Sequence, residues 1–226
     1  MELEKKLFLP SCADCGMKGC RGQENHYPPF CPTKGVSESL KGETVSCLQG
    51  EDQRVAMASA LVEYEGYGAW CRIEDTIAFA RRMDVTRIGV ATCLGLLQEA
   101  KLLTQVLRAR GFEVYTVSCK VGAVKKTELG LPECCDICGM NICNPVLQAK
   151  LLNQHQTQLN IVFGLCVGHD SLFYKYSDAI CTTLVAKDRV TGHNPVVPLY
   201  QLQSYYKRLM EEPVPVRRVS QKEESV

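Results

Sequence analysis

Residues 134–143, Cys134-Cys135-Asp136-Ile137-Cys138-Gly139-Met140-Asn141-Ile142-Cys143, place four thiols within ten positions. Deprotonated thiols are soft ligands that hold zinc or iron–sulfur clusters, and a loop that merely joins two elements has no need of them. The spacing Cys135-x2-Cys138-Gly-Met-x2-Cys143 repeats that of Cys12-x2-Cys15-Gly-Met-x2-Cys20 near the N-terminus. Two such runs imply two similar ligand loops. Spacing alone leaves open whether they hold separate metals or fold around a shared one.

The N-terminal run extends to Cys31, so Cys12, Cys15, Cys20 and Cys31 offer a complete four-thiolate set. Gly16, Gly19, Gly22, Pro28, Pro29 and Pro32 let the backbone wrap tightly without a hydrophobic core. The x4 and x10 intervals match no common ferredoxin pattern, and a zinc knuckle that only pins the segment is an equal reading. Cys135, Cys138 and Cys143 lack a fourth partner in their own loop. His26 is expected to be a surface loop residue.

Three further cysteines, Cys93, Cys119 and Cys166, stand where apolar strands are expected to end. Arg87–Cys93, Phe112–Cys119 and Asn160–Cys166 read as strands, Ala179–Val185 as a fourth, and they alternate with helical patterns over 96–110 and 145–153. Asn144-Pro145 supplies a capping residue and a first-turn proline for the second of these helices. Alternation of this kind predicts an α/β fold with a parallel, Rossmann-like or flavodoxin-like sheet and helices on both faces. The carboxyl ends of such strands share one edge, where open α/β sheets bind ligands. A basin of thiols is expected there, supplying ligands to an iron–sulfur cluster or completing the set begun by Cys135, Cys138 and Cys143.

Cys166-Val-Gly-His169 also has the components of a thiol nucleophile, because a helix start favours the thiolate and His169 offers an acid, a base or a ligand. Metal ligation outweighs this reading, since no third partner is visible. Lys187 and Arg189, in the polar segment after the fourth strand, are candidates to neutralise an anionic substrate or a negatively charged cluster. A solvated loop is the plain alternative. Helices are expected at 50–67, 74–83 and 198–211, and Cys47 and Cys71 are expected to be small core residues.

The chain divides on this reading into a cysteine-rich metal-binding segment (1–48), an α/β domain (49–212) with an inserted cysteine loop (132–144), and a disordered tail (213–226). A formal charge of +1, one Trp and no basic block leave little footprint for nucleic acid. No apolar run approaches the roughly 20 residues that span a bilayer, and the acidic N-terminus is unlike a secretory signal, so a cytoplasmic location is expected. Fourteen cysteines in a chain that is 46% hydrophobic fit reduced, metal-binding thiols better than a small disulfide scaffold.

Cys-Ala-Asp-Cys-Gly at 12–16, Gly-Leu-Cys-Val-Gly-His-Asp-Ser-Leu-Phe at 164–173 and Thr-Thr-Leu-Val-Ala-Lys-Asp-Arg-Val-Thr-Gly-His-Asn-Pro at 182–195 resemble a domain-of-unknown-function family of cysteine-rich metal-binding proteins of anaerobic bacteria and archaea. The resemblance implies metal binding and no established reaction. The expected function is an iron–sulfur cluster, of the 4Fe–4S type, serving electron transfer or redox or sulfur chemistry with a small-molecule substrate or a redox partner protein. The alternatives are a zinc-stabilised binding module without catalysis and a thiol enzyme using Cys166 and His169.

Overall fold

The computed structural model describes residues 9–22, 26–211 and 213–214. The chain forms two compact units, Met1–Ala60 and Leu61–Val226. The first holds two short 3-10 turns, Cys12–Asp14 and Gly19–Arg21, followed by α1 (Pro32–Gly35), α2 (Glu38–Cys47) and most of α3 (Glu51–Gly66). Ser37 caps α2 by accepting from Leu40 N–H, as a hydroxyl at that position should. The expected tail lies almost wholly outside the described residues.

The second unit is the α/β domain. Helix α4 (Arg72–Arg82) leads into β1 (Arg87–Thr92), α5 (Leu97–Ala109), β2 (Glu113–Ser118), α6 (Pro145–Gln154), β3 (Leu159–Phe163), α7 (His169–Tyr176) and β4 (Ile180–Val185). The four strands form one all-parallel sheet in the order β2-β1-β3-β4. The alternation of β2 assigns the faces. Thr116 turns toward α5, where its hydroxyl meets Thr104 Oγ1 at 2.8 Å, while Tyr115 stacks on His155 at the end of α6. Helices thus cover both faces, and β1 and β3 are almost fully buried, as central parallel strands must be. Ala91, Val117, Ala149, Leu152, Val162 and Phe173 form the core between the sheet and α6–α7.

The strand order puts a topological switch point between β1 and β3, because the chain moves from β1 to β2 on one side and then crosses back to β3 on the other. Loops on either side of that point leave in opposite directions and open a crevice. The loops carrying Cys93 and Cys166 are the two that flank it.

Three expectations need correction. Strand β3 ends at Phe163, three residues before Cys166: Gly164 N–H makes a last bond to Val185 O of β4 at 2.7 Å, and its φ of 73° then turns the chain out of the sheet. The helix expected at 198–211 is broken into α8 (Val197–Tyr200) and α9 (Arg208–Glu211), with successive turns between. Cys47 and Cys71 are exposed, not core. Cys71 instead precedes α4, and its N–H bonds to Glu74 Oε2 at 2.8 Å.

Candidate thiol site at the carboxyl edge of the sheet

Cys93 and Cys119 each directly follow a strand, and both are buried against the α6 side of the sheet. Their spacing is braced from below. Gln148, fully buried in α6, donates from Nε2 to Thr92 O at 3.1 Å and to Val117 O at 2.8 Å, so one side-chain amide ties the ends of β1 and β2. Leu94 N–H points at Cys119 Sγ at 3.3 Å.

The cysteine loop returns to this place because of a short antiparallel pairing. Lys126 N–H bonds to Met140 O and Ile142 N–H to Val124 O, both at 2.9 Å, and Lys125 bridges Asn141. Lys126, only 9% exposed, sends its ammonium to Cys135 O, with Asp136 Oδ1 3.9 Å away. Asn144 N–H then meets Cys119 O at 2.7 Å. This delivers Cys143 to Cys119.

The Cys119 thiol therefore sits between those of Cys93 and Cys143 and hydrogen-bonds with both. The proton is shared unequally. Hydrogen bonding to Cys119 and burial push Cys93 up to about 12. Hydrogen bonding to Cys143, with burial, raises Cys119. Cys143, which receives Cys119's hydrogen bond and lies near the Lys120 ammonium, is pulled down to about 7.

Cys166 completes the group. Arg189 Nη2 stands 3.5 Å from its sulfur and is close enough to feel Cys93 and Cys138 as well. Lys187 hydrogen-bonds with Cys93. Both cations are held by a built loop: Asp188 Oδ1 accepts from Val190 N–H at 2.8 Å and Thr191 N–H at 3.1 Å, and His193 Nδ1 accepts from Asp188 N–H at 3.0 Å. The Thr191 hydroxyl and these amides hold the Asp188 carboxyl below its ordinary value.

Cys93, Cys119, Cys143 and Cys166 come together at one edge, with Lys187 and Arg189 beside them and Cys138 nearby. Cys135 is held by its backbone in the loop. His169 gives its backbone N–H to Cys166 O at 2.9 Å, and among the described residues its ring makes no hydrogen bond to the Cys166 thiol. In the first unit, Cys12 and Cys20 are exposed and Cys15 and Cys31 partly so. Ser11 and Asp14 form a reciprocal cap around the Cys12–Asp14 turn, and the Thr33 hydroxyl lowers Cys31. Among the described residues, no group of three or more His, Cys, Asp or Glu side chains is arranged to grip a bare ion. Lys120 and Gln148 escaped the sequence reading. Lys120 adjoins Cys119 at a strand end, a signal that was there to use, whereas nothing marks Gln148 among the helix-forming residues of α6.

The pattern of the family described as "Protein of unknown function (DUF1847)" matches residues 31–184, about two thirds of the chain and nearly all of the sheet. The chain belongs to that family. The DUF1847 match takes in Cys93, Cys119, Cys143 and Cys166 and stops short of Lys187 and Arg189. An uncharacterised protein of Methanocaldococcus jannaschii, MJ0455, is 38% identical over 207 residues, covering 88% of this chain and 98% of its own. No solved structure matches significantly. No helix among the described residues is long and apolar enough to cross a membrane.

Proposed function

We propose that the carboxyl-edge basin holds an iron–sulfur cluster through Cys93, Cys119, Cys143 and Cys166, used for electron transfer or for redox or sulfur chemistry on a small molecule. The observation that carries this reading is the meeting of four thiols from four separate segments at the sheet's switch point. The thiols form a hydrogen-bonded row and not a closed cage around one point. A cluster has irons at several corners, so its ligands need not converge as the four ligands of zinc must. When bound, it would supply one-electron chemistry.

The chain's own residues would do the rest. Arg189, Lys187 and Lys120 offset the negative charge of the thiolates and favour the reduced form, since hydrogen bonds and nearby charge set the potential of such centres. Burial of Cys93 and Cys119 keeps water from two of the sulfurs. Ile137, Val167 and Val190, each in a loop that carries a basin residue, are more than three quarters exposed and offer an apolar contact for a redox partner protein.

Iron and acid-labile sulfide analysis of protein purified without oxygen tests the proposal. Brown protein with broad visible absorption that dithionite bleaches is expected. Colourless protein with stoichiometric zinc contradicts it and favours the zinc-stabilised module.

A further inference from the structure

A cleft of about 370 Å³ in the second unit shares no residue with the thiol basin. It is lined by Trp70, by Ile77 and Ala78 of α4, and by the charged side chains of Arg81, Arg82 and Arg110 with Glu65 and Glu74. The two acids are already engaged: Glu65 pairs with Arg82, and Glu74 accepts from Cys71 N–H at 2.8 Å. Arg81 and Arg110 make no contact ion pair among the described residues, although Arg110 is near enough to Glu74 to help lower its carboxyl, so three guanidiniums face two carboxylates and the cleft keeps a net positive charge.

The aromatic wall is fixed in place. Trp70 N–H bonds to Gly66 O at 2.9 Å, and the indole lies so close over Gly66 that a Cβ there would fall 2.6 Å from Trp70 Cε3. Only glycine permits this approach. Trp70 as a whole stays 37% exposed. A preset aromatic face, apolar lining and an excess of guanidiniums over carboxylates form a site for a flat ring carrying an anion, because Arg binds phosphate and carboxylate bidentately and aromatic faces stack on planar rings. The volume is near the lower end for small-molecule sites, which suits one ring system and not a dinucleotide.

The geometry points to a binding site for a small planar organic anion, an aromatic ring bearing a phosphate or carboxylate, held between Trp70 and the Arg81–Arg110 pair. It stands independently of the thiol basin. Trp70 is the only tryptophan of the chain and reports directly on its own site.

The test is titration of the full-length protein with AMP and, separately, with benzoate, following Trp70 fluorescence excited beyond ligand absorption. Adenosine and inorganic phosphate are the matched half-ligands. Saturable change with AMP or benzoate is expected, with the tighter of the two identifying the anion. The Arg81→Gln/Arg110→Gln double variant should bind at least about tenfold more weakly, and adenosine should follow that variant. Three results overturn the proposal: no saturation with either anion, equal affinity in the double variant, or inorganic phosphate competing as well as AMP, which would leave the ring without a role.

Discussion

Cys143 shows how far one residue's chemistry depends on its neighbours. A thiol titrating near 7 is about half ionised at neutral pH, whereas Cys93, at the other end of the same hydrogen-bonded row, stays protonated up to about 12. In metal-free, reduced protein, alkylation of Cys143 should follow a titration midpoint near pH 7 while Cys93 stays unmodified. Timed iodoacetamide labelling with peptide mass analysis checks this, and preferential labelling of Cys93 would contradict it. Gln148 acts on the same row from beneath. Gln148→Leu removes both hydrogen bonds to the strand-end carbonyls and should cost roughly 2–3 kcal/mol in chemical denaturation. The thiols and the two loop cations were legible because soft ligands and paired charges are rare in ordinary loops. Gln148 was not, because its role exists only when strands distant in sequence lie side by side.

Elements hold these residues in register, and two of them are sensitive points. At Gly164 the left-handed backbone that ends β3 leaves no room for a side chain: a Cβ would fall 2.1 Å from Leu96 Cδ1. Gly164→Ala combines positive-φ strain with overpacking and should destabilise the domain by roughly 3 kcal/mol, measured as a shift in the urea midpoint at unchanged slope. The loop presenting Lys187 and Arg189 depends on Asp188. Its folded pKa is depressed, so its contribution is complete above the ordinary value of 3.8 and is lost as pH falls through the lower folded value. Protection of the Val190 and Thr191 amides from hydrogen exchange should fall off in that acid range and be missing at neutral pH in Asp188→Ala. The strands were readable because buried parallel strands are short apolar runs bounded by turn signals. The exit at Gly164 was not, since Gly-Leu-Cys continues the apolar run while the backbone has already turned. The C-terminal helix failed differently: Pro198 fits the first turn of α8, but Ser204, Tyr205 and Tyr206 sustain a helix poorly, so turns take over beyond Tyr200.

At the scale of the molecule, the two repeated Cys-x2-Cys-Gly-Met-x2-Cys runs have different surroundings. The N-terminal set lies in 3-10 turns of the first unit with its thiols largely in solvent, whereas the second run gives up Cys143 to the sheet edge. Equal spacing therefore does not imply equal use. It is the topology of the α/β domain, with its reversal between β1 and β3, that decides which thiols gather. The most direct measurement is the iron and acid-labile sulfide content of anaerobically purified Cys143→Ser and Cys166→Ser beside Cys47→Ser, which alters an exposed thiol outside the basin. Loss of the visible chromophore and most of the bound iron in the first two variants, with wild-type content in the third, is the predicted result. Unchanged iron and sulfide in Cys143→Ser and Cys166→Ser would contradict a centre held by the strand-end thiols.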